Sequence, residues 1–67
     1  MVYGTVKMWD AGKGFGFIVS DDDDEYFFHV ADLHVMLQKK GVQEGVRVGF
    51  DVKREMKGDR AVRVKAV

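Results

Sequence analysis

The stretch KGFGFI, Lys13 to Ile18, decides how the rest of the chain is read. As a strand it places Phe15 and Phe17 on one face and Gly16 and Ile18 on the other, because successive side chains point to opposite sides. One face is aromatic and the other aliphatic. A half-buried strand needs only one of them inside, so whichever is core leaves the other to be explained.

Working outward, the apolar spacing reads as short strands almost throughout. VYGTVKMW (2–9) precedes the quoted stretch, which itself runs on as GFGFIVS (14–20), and EYFFHV (25–30) follows. VRVGFDVKR (46–54) alternates Val46, Val48, Phe50 and Val52 against Arg47, Asp51 and Lys53, and DRAVRVKAV (59–67) sets Val62, Val64 and Ala66 against Ala61, Arg63 and Lys65. The connections DAGKG, DDDD and EMKGD are short, polar and rich in Gly or Asp, as tight turns between paired strands require. ADLHVMLQKKGVQEG (31–45) is too long for a turn and, with Leu33, Val35, Met36 and Leu37, too apolar to be wholly solvated, so a turn of helix is expected there. Five short antiparallel strands predict an all-β fold closed into a small barrel, since closure removes the edges that so short a sheet would expose.

Composition narrows the class. With 67 residues the chain is expected to be one domain over 1–67, near the lower limit for a fold held by a single core. It contains no cysteine, so neither disulfides nor a thiolate zinc site can staple it, and a reducing, cytoplasmic setting is expected. No segment approaches the roughly 18 apolar residues of a membrane span. Eleven Lys and Arg balance eleven Asp and Glu, yet five of the acids sit in the block Asp21 to Glu25, leaving six against eleven bases elsewhere. The surface outside that block is therefore expected to be basic.

Val6, Ile18, Phe28, Leu33, Val48, Phe50, Val52, Val62 and Val64, joined by Tyr26, make the predicted core. With those inside, Phe15 and Phe17 on strand two and Phe27 and His29 on strand three face outward side by side. Phe15 and Phe17 could instead pack under a loop or against the chain ends. Gly16 favours the outward reading, since a core-facing glycine lets backbones close up at a barrel bend. A contiguous aromatic cluster on a small surface marks a binding site. Rings flanked by Lys7, Lys13 and Lys57 suit unpaired bases, which stack on aromatics while the lysines neutralise phosphates.

KGFGFI (13–18) resembles the first ribonucleoprotein motif of the bacterial cold-shock domain, and EYFFHV (25–30) resembles the second, around Phe27 and His29. GTVKMWDAGKGFGF (4–17) has the family's opening spacing and EGVRVGFDV (44–52) resembles its fourth strand, so the match runs essentially end to end. The resemblance implies a five-stranded antiparallel OB-fold barrel. It also implies binding of single-stranded RNA and DNA with low sequence specificity and a lean towards pyrimidines, and a chaperone role that keeps transcripts unstructured. Carried over position by position, Lys7, Lys13, Phe15, Phe17, Phe27 and His29 match the family's contact residues, and Lys57 stands where a basic residue of the last turn reaches the strand.

The departures from the pattern are local. The usual KWFN becomes Lys7-Met8-Trp9-Asp10, so Met8 holds the stacking tryptophan position and Trp9 that of the neighbouring phenylalanine. Val30 replaces the aromatic after the histidine, and Gln38-Lys39 stand in the long loop where an aromatic is usual. Met8 can still lie against a base through its polarizable thioether. For Trp9, stacking on a base and packing into the barrel end are both open.

Other constellations are weaker. GKGFG lacks the Lys-Ser or Lys-Thr of a phosphate loop, and DDDDE lacks the glycine and distal glutamate of a calcium loop, so the block is read as a solvated hairpin tip that repels phosphate and steers a strand towards the lysines. Two histidines without a paired nucleophile leave little for catalysis, and His34 is read as a surface residue. The expectation is a non-enzymatic protein without metal, cofactor, small-molecule substrate or membrane partner, monomeric, with a strand-swapped dimer open to it through the long loop. A second reading, from another class, is a protein-interaction module that docks a partner or a second copy on the same aromatic face with weak or no nucleic-acid binding.

Overall fold

A computed structural model describes residues 1–67. Its elements are β1 (Val2–Asp10), β2 (Phe15–Ser20), β3 (Glu25–His29), a 3-10 turn (Val30–Asp32), α1 (Val35–Lys40), β4 (Arg47–Lys53) and β5 (Arg60–Ala66). The strands close into a barrel in the order β1-β2-β3-β5-β4. Three of the contacts are the expected hairpins, β1 with β2, β2 with β3, and β4 with β5. The closing contact between β3 and β5 is parallel, a single Cα pair between Phe27 and Arg60, so the barrel is not antiparallel throughout.

Two bulges set which side chains enter the barrel. In β1 the register with β2 slips between Val6 and Met8, so that Val6 faces Ile18 but Met8 faces Phe17 and Trp9 faces Gly16. One extra residue, Lys7, therefore turns Met8 outward and Trp9 inward, the face change that a one-residue slip must produce. In β5 the slip lies between the partners of Gly49 and Asp51, and Arg63 takes φ 50° there. The inward positions of β5 become Ala61 and Val64, three apart.

That second bulge corrects the expected core. Val6, Ile18, Phe28, Leu33, Val48, Phe50 and Val64 are buried as expected, but Val62 is only half-buried and Ala61 takes its place. Val52, near the end of β4, and Tyr26, edge-on to Phe50 at 5.2 Å, pack against the core from its margin. Leu37 and Val42 complete it from the long connection. There Leu33 bridges to Val64, the His34 amide donates to the Val64 carbonyl at 2.7 Å, and the exposed His34 caps α1 by accepting the Met36 N–H at 3.2 Å. The helix expected in this loop is present, and of its apolar residues Leu33 and Leu37 go inside while Val35 and Met36 stay exposed.

Glycine is required where β1 and β2 cross. A Cβ on Gly16 would collide with the Met8 carbonyl oxygen and come within 3.1 Å of the Phe28 ring. The close approach expected of a core-facing glycine at this bend is thus the observed one. The acidic hairpin is organised by the buried Ser20, whose Oγ accepts the Asp22 and Asp24 amides at 3.3 and 3.1 Å. Asp21 is not a free charge of the tip, because Arg47 at the start of β4 holds it through two bonds of 2.6 and 3.2 Å. Hydrogen bonding to that guanidinium holds the Asp21 carboxyl below the usual carboxylate range.

Candidate nucleic-acid interface

The outward faces of β1, β2 and β3 carry two rows of side chains in register. Met8, Phe17 and Phe27 stand opposite one another across the three strands, and Asp10, Phe15 and His29 form the row beside them. Phe27 is the hub: its ring lies 5.7 Å from Phe15, tilted, and 6.1 Å from Phe17, edge-on. Those spacings are within the range of favourable aromatic pairs, so the rings hold one another upright. Phe27 is exposed while Phe15, Phe17, Met8 and His29 are half-buried. The outward reading of KGFGFI therefore holds for its geometry.

Each candidate residue has a definite place around this stripe. Lys7 projects from the β1 bulge and is exposed. Lys13 stands in the turn between β1 and β2, whose shape is kept by its amide donating to Asp10 Oδ1 at 3.1 Å and by the Gly14 amide donating to the Asp10 carbonyl at 2.8 Å. Lys57, exposed in the β4–β5 turn, lines a recess of about 350 Å³ with Phe27. Val30 is exposed at the far end, and its amide donates to the Gly14 carbonyl at 2.8 Å. Trp9 stacks face to face on the buried Phe28, centroids 5.3 Å apart and planes 9° apart. Of its two open readings, packing into the barrel end is the one the geometry supports, with the ring half-buried.

His29 ends β3 and begins the 3-10 turn. Its Nδ1 accepts the Ala31 N–H at 3.1 Å, which anchors the imidazole and leaves Nε2 as the proton-bearing nitrogen of the neutral ring. Its amide donates to Asp32 Oδ2 at 2.9 Å, closing a reciprocal cap. Asp32 also holds Arg60, with Nε to Oδ2 at 2.7 Å and Nη2 to Oδ1 at 2.9 Å. The hydrogen bond to Asp32 is the first cause raising the Arg60 pKa above its ordinary value. Arg60 and Asp32 were not among the residues expected here. Asp32 lies in a loop and Arg60 opens β5, and only the non-local pairing of Phe27 with Arg60 brings them to the stripe.

A five-stranded barrel closed in this order, whose first three strands present registered aromatic rows with lysines at their margins, is of the OB type. The comparison with known proteins agrees. Residues 2–67 match the family described as the 'Cold-shock' DNA-binding domain. The chain is 38% identical over 64 residues to the major cold shock protein of Streptococcus pyogenes serotype M6, covering 96% of this chain and 94% of that one. It is 38% identical over 65 residues to the cold shock protein CspC of Bacillus subtilis, covering 97% of each, and 40% identical over 68 residues to the cold shock protein of Arthrobacter globiformis, covering both in full. The chain belongs to the cold-shock domain family, and nucleic-acid binding is the activity that family is named for.

Proposed function

We propose that the chain binds single-stranded RNA and DNA with low sequence specificity and acts as a nucleic-acid chaperone. Bases stack on Phe15, Phe17, Phe27 and His29, and Met8 and Val30 extend the stripe with less area than rings would give. Lys7, Lys13 and Lys57 take the phosphates. The observation that carries this reading is the pair of registered rows, Met8–Phe17–Phe27 and Phe15–His29, which lies open on one side of the barrel. A duplex hides its base faces, so such a surface takes melted segments and leaves paired ones. Few rings and few cations make each contact weak and its exchange fast, which lets one molecule keep a transcript open without holding it.

The test is fluorescence anisotropy of a labelled heptathymidine at two salt concentrations, beside a hairpin of the same length. Saturable binding of the single strand, weaker on the hairpin and falling steeply with salt, is expected, because each neutralised phosphate releases about one counterion. Salt-insensitive binding, or none, would hand the aromatic face to the protein-docking reading.

A further inference from the structure

Arg60 is the one cation at the aromatic stripe that is held in place. Lys7, Lys13 and Lys57 are exposed, whereas Arg60 is half-buried and gives Nε and Nη2 to the Asp32 carboxylate. That carboxylate is only 8% exposed and is fixed in its turn by the His29 amide at 2.9 Å. The guanidinium plane is therefore set from below by a buried anchor. Five N–H groups minus the two bonded ones leave both on Nη1 and one on Nη2, and the guanidinium makes no other hydrogen bond. One donor from each terminal nitrogen is left as a parallel pair.

The residue that carries this pair is the strand neighbour of a ring. Arg60 is the Cα partner of Phe27, and both line the recess of about 350 Å³ under the β4–β5 turn, a volume at the small end of ligand pockets. Glu55 lines the same recess, and its charge acts on Arg60 without an ion pair forming between them. A base lying on Phe27 thus shares this recess with a guanidinium that has two free donors and with a carboxylate acceptor.

We propose that Arg60, positioned by Asp32, reads the base stacked on Phe27 and selects one with two adjacent acceptors, guanine or cytosine, over adenine, thymine and uracil. This rests on the single-strand reading given above. Guanine offers two adjacent acceptors, O6 and N7, to a guanidinium fork, with N1–H and N2–H as donors for the Glu55 carboxylate, and unpaired cytosine offers N3 and O2 with N4–H as donor. Adenine puts an amino group where O6 would be, and the oxygens of thymine and uracil flank an N–H. A lysine at the same place would be a point charge without this discrimination.

The experiment uses labelled heptamers of thymidine in which the central base is thymine, guanine or adenine, titrated by anisotropy with the whole chain at two salt concentrations. The parent is expected to prefer the guanine strand to the adenine strand by about tenfold, the lower range for one bidentate base contact. Arg60→Lys keeps the charge and the salt slope but loses the preference. Asp32→Asn releases the guanidinium: the preference falls to within about twofold while the salt slope steepens, because a cation no longer neutralised by its anchor becomes free for phosphate. A purely structural role for Asp32 would weaken all three strands alike, in step with a lower melting temperature. If Asp32→Asn does not fold, Arg60→Lys decides alone. A parent that binds all three strands alike, or an Arg60→Lys variant that still prefers guanine, overturns the inference and leaves the single-strand reading standing. A parent that binds none of them ends both.

Discussion

Phe27 and Phe28 are neighbours in β3 that face opposite ways, and replacing each by alanine separates binding from folding. Phe28 is wholly buried, stacked on Trp9 and packed against the Gly16 backbone. Its removal should cost the about 3–5 kcal/mol of a core Phe→Ala change. At about 0.05–0.15 kcal/mol per residue, a chain of 67 residues has about 3–10 kcal/mol in all. Phe28→Ala should therefore leave much of the protein unfolded. Phe27 is 38% exposed and its folded-state partners are two rings, Phe15 and Phe17. Two aromatic pairs at about 0.5–1.5 kcal/mol each, discounted for exposure, give a loss of about 1–2 kcal/mol. That corresponds to about 5–15 °C in melting temperature for a domain of this size. Binding should suffer more: one lost stacking platform removes about 1–3 kcal/mol, about 5- to 150-fold in Kd. Urea unfolding followed by Trp9 fluorescence gives the first quantity, and anisotropy of a labelled heptathymidine gives the second. If Phe27→Ala proved as destabilising as Phe28→Ala, the ring would be structural and the outward stripe misassigned. If it changed neither quantity, bases would not lie on this face.

Three further outcomes are expected. Lys13→Gln and Lys57→Gln should each flatten the salt dependence of binding by somewhat under one unit of slope, with base preference barely altered, and an unchanged slope in both removes them from the interface. Met8→Trp with Val30→Phe should tighten binding of a thymine-rich heptamer by about 1–3 kcal/mol for the pair, because Met8 stands in register with Phe17 and Phe27 and Val30 is exposed next to His29; a folded double mutant that binds no better places the strand elsewhere. Asp21 and Asp51 have carboxyl pKa values lowered first by hydrogen bonds from Arg47 and Arg63. Below the ordinary carboxylate value of about 4 they are still ionised in the folded chain and protonated in the unfolded one, so their stabilisation is full above that value and lost as pH falls through the lower folded one. Urea midpoints measured down through this window should fall less steeply for Asp21→Asn than for the parent, and parallel curves would show that the Arg47 pair does not matter to stability.

The local alternation of KGFGFI was enough to place Phe15 and Phe17 opposite Ile18, and Gly16 carried the decision about which side is in, because its crowding against β1 is a property of the residue itself. What could not be read is everything set by a bulge or a distant pairing. Val62, Val64 and Ala66 look like a continuous inward row until the φ of Arg63 breaks it and substitutes Ala61. The Lys7 bulge likewise decides that Trp9 packs on Phe28 and Met8 joins Phe17, and nothing in KMWD marks which residue is the extra one. Leu37 and Val42 close the barrel from a connection whose path depends on Leu33 reaching Val64. The Asp32–Arg60 anchor is harder still. Its partners are read separately as a loop acid and a strand-end base, and the parallel contact of β3 with β5 is what joins them.

That contact has a further consequence. The three hairpins close short loops and β1 pairs with β4 through four Cα pairs, but β3 meets β5 through one Cα pair, the Leu33–Val64 bridge and the Asp32–Arg60 ion pair, across nearly half the chain. Contacts of such separation carry the loop-closure entropy and are made late and opened first. Phe27 lies on one side of this seam and Arg60 on the other, so a strand laid over both acts as a staple across it. Ligand and barrel closure then share one equilibrium. A strand present at a hundred times its Kd adds about 2.7 kcal/mol against opening, so amides along the β3–β5 seam exchange with solvent more slowly in the occupied barrel than in the empty one.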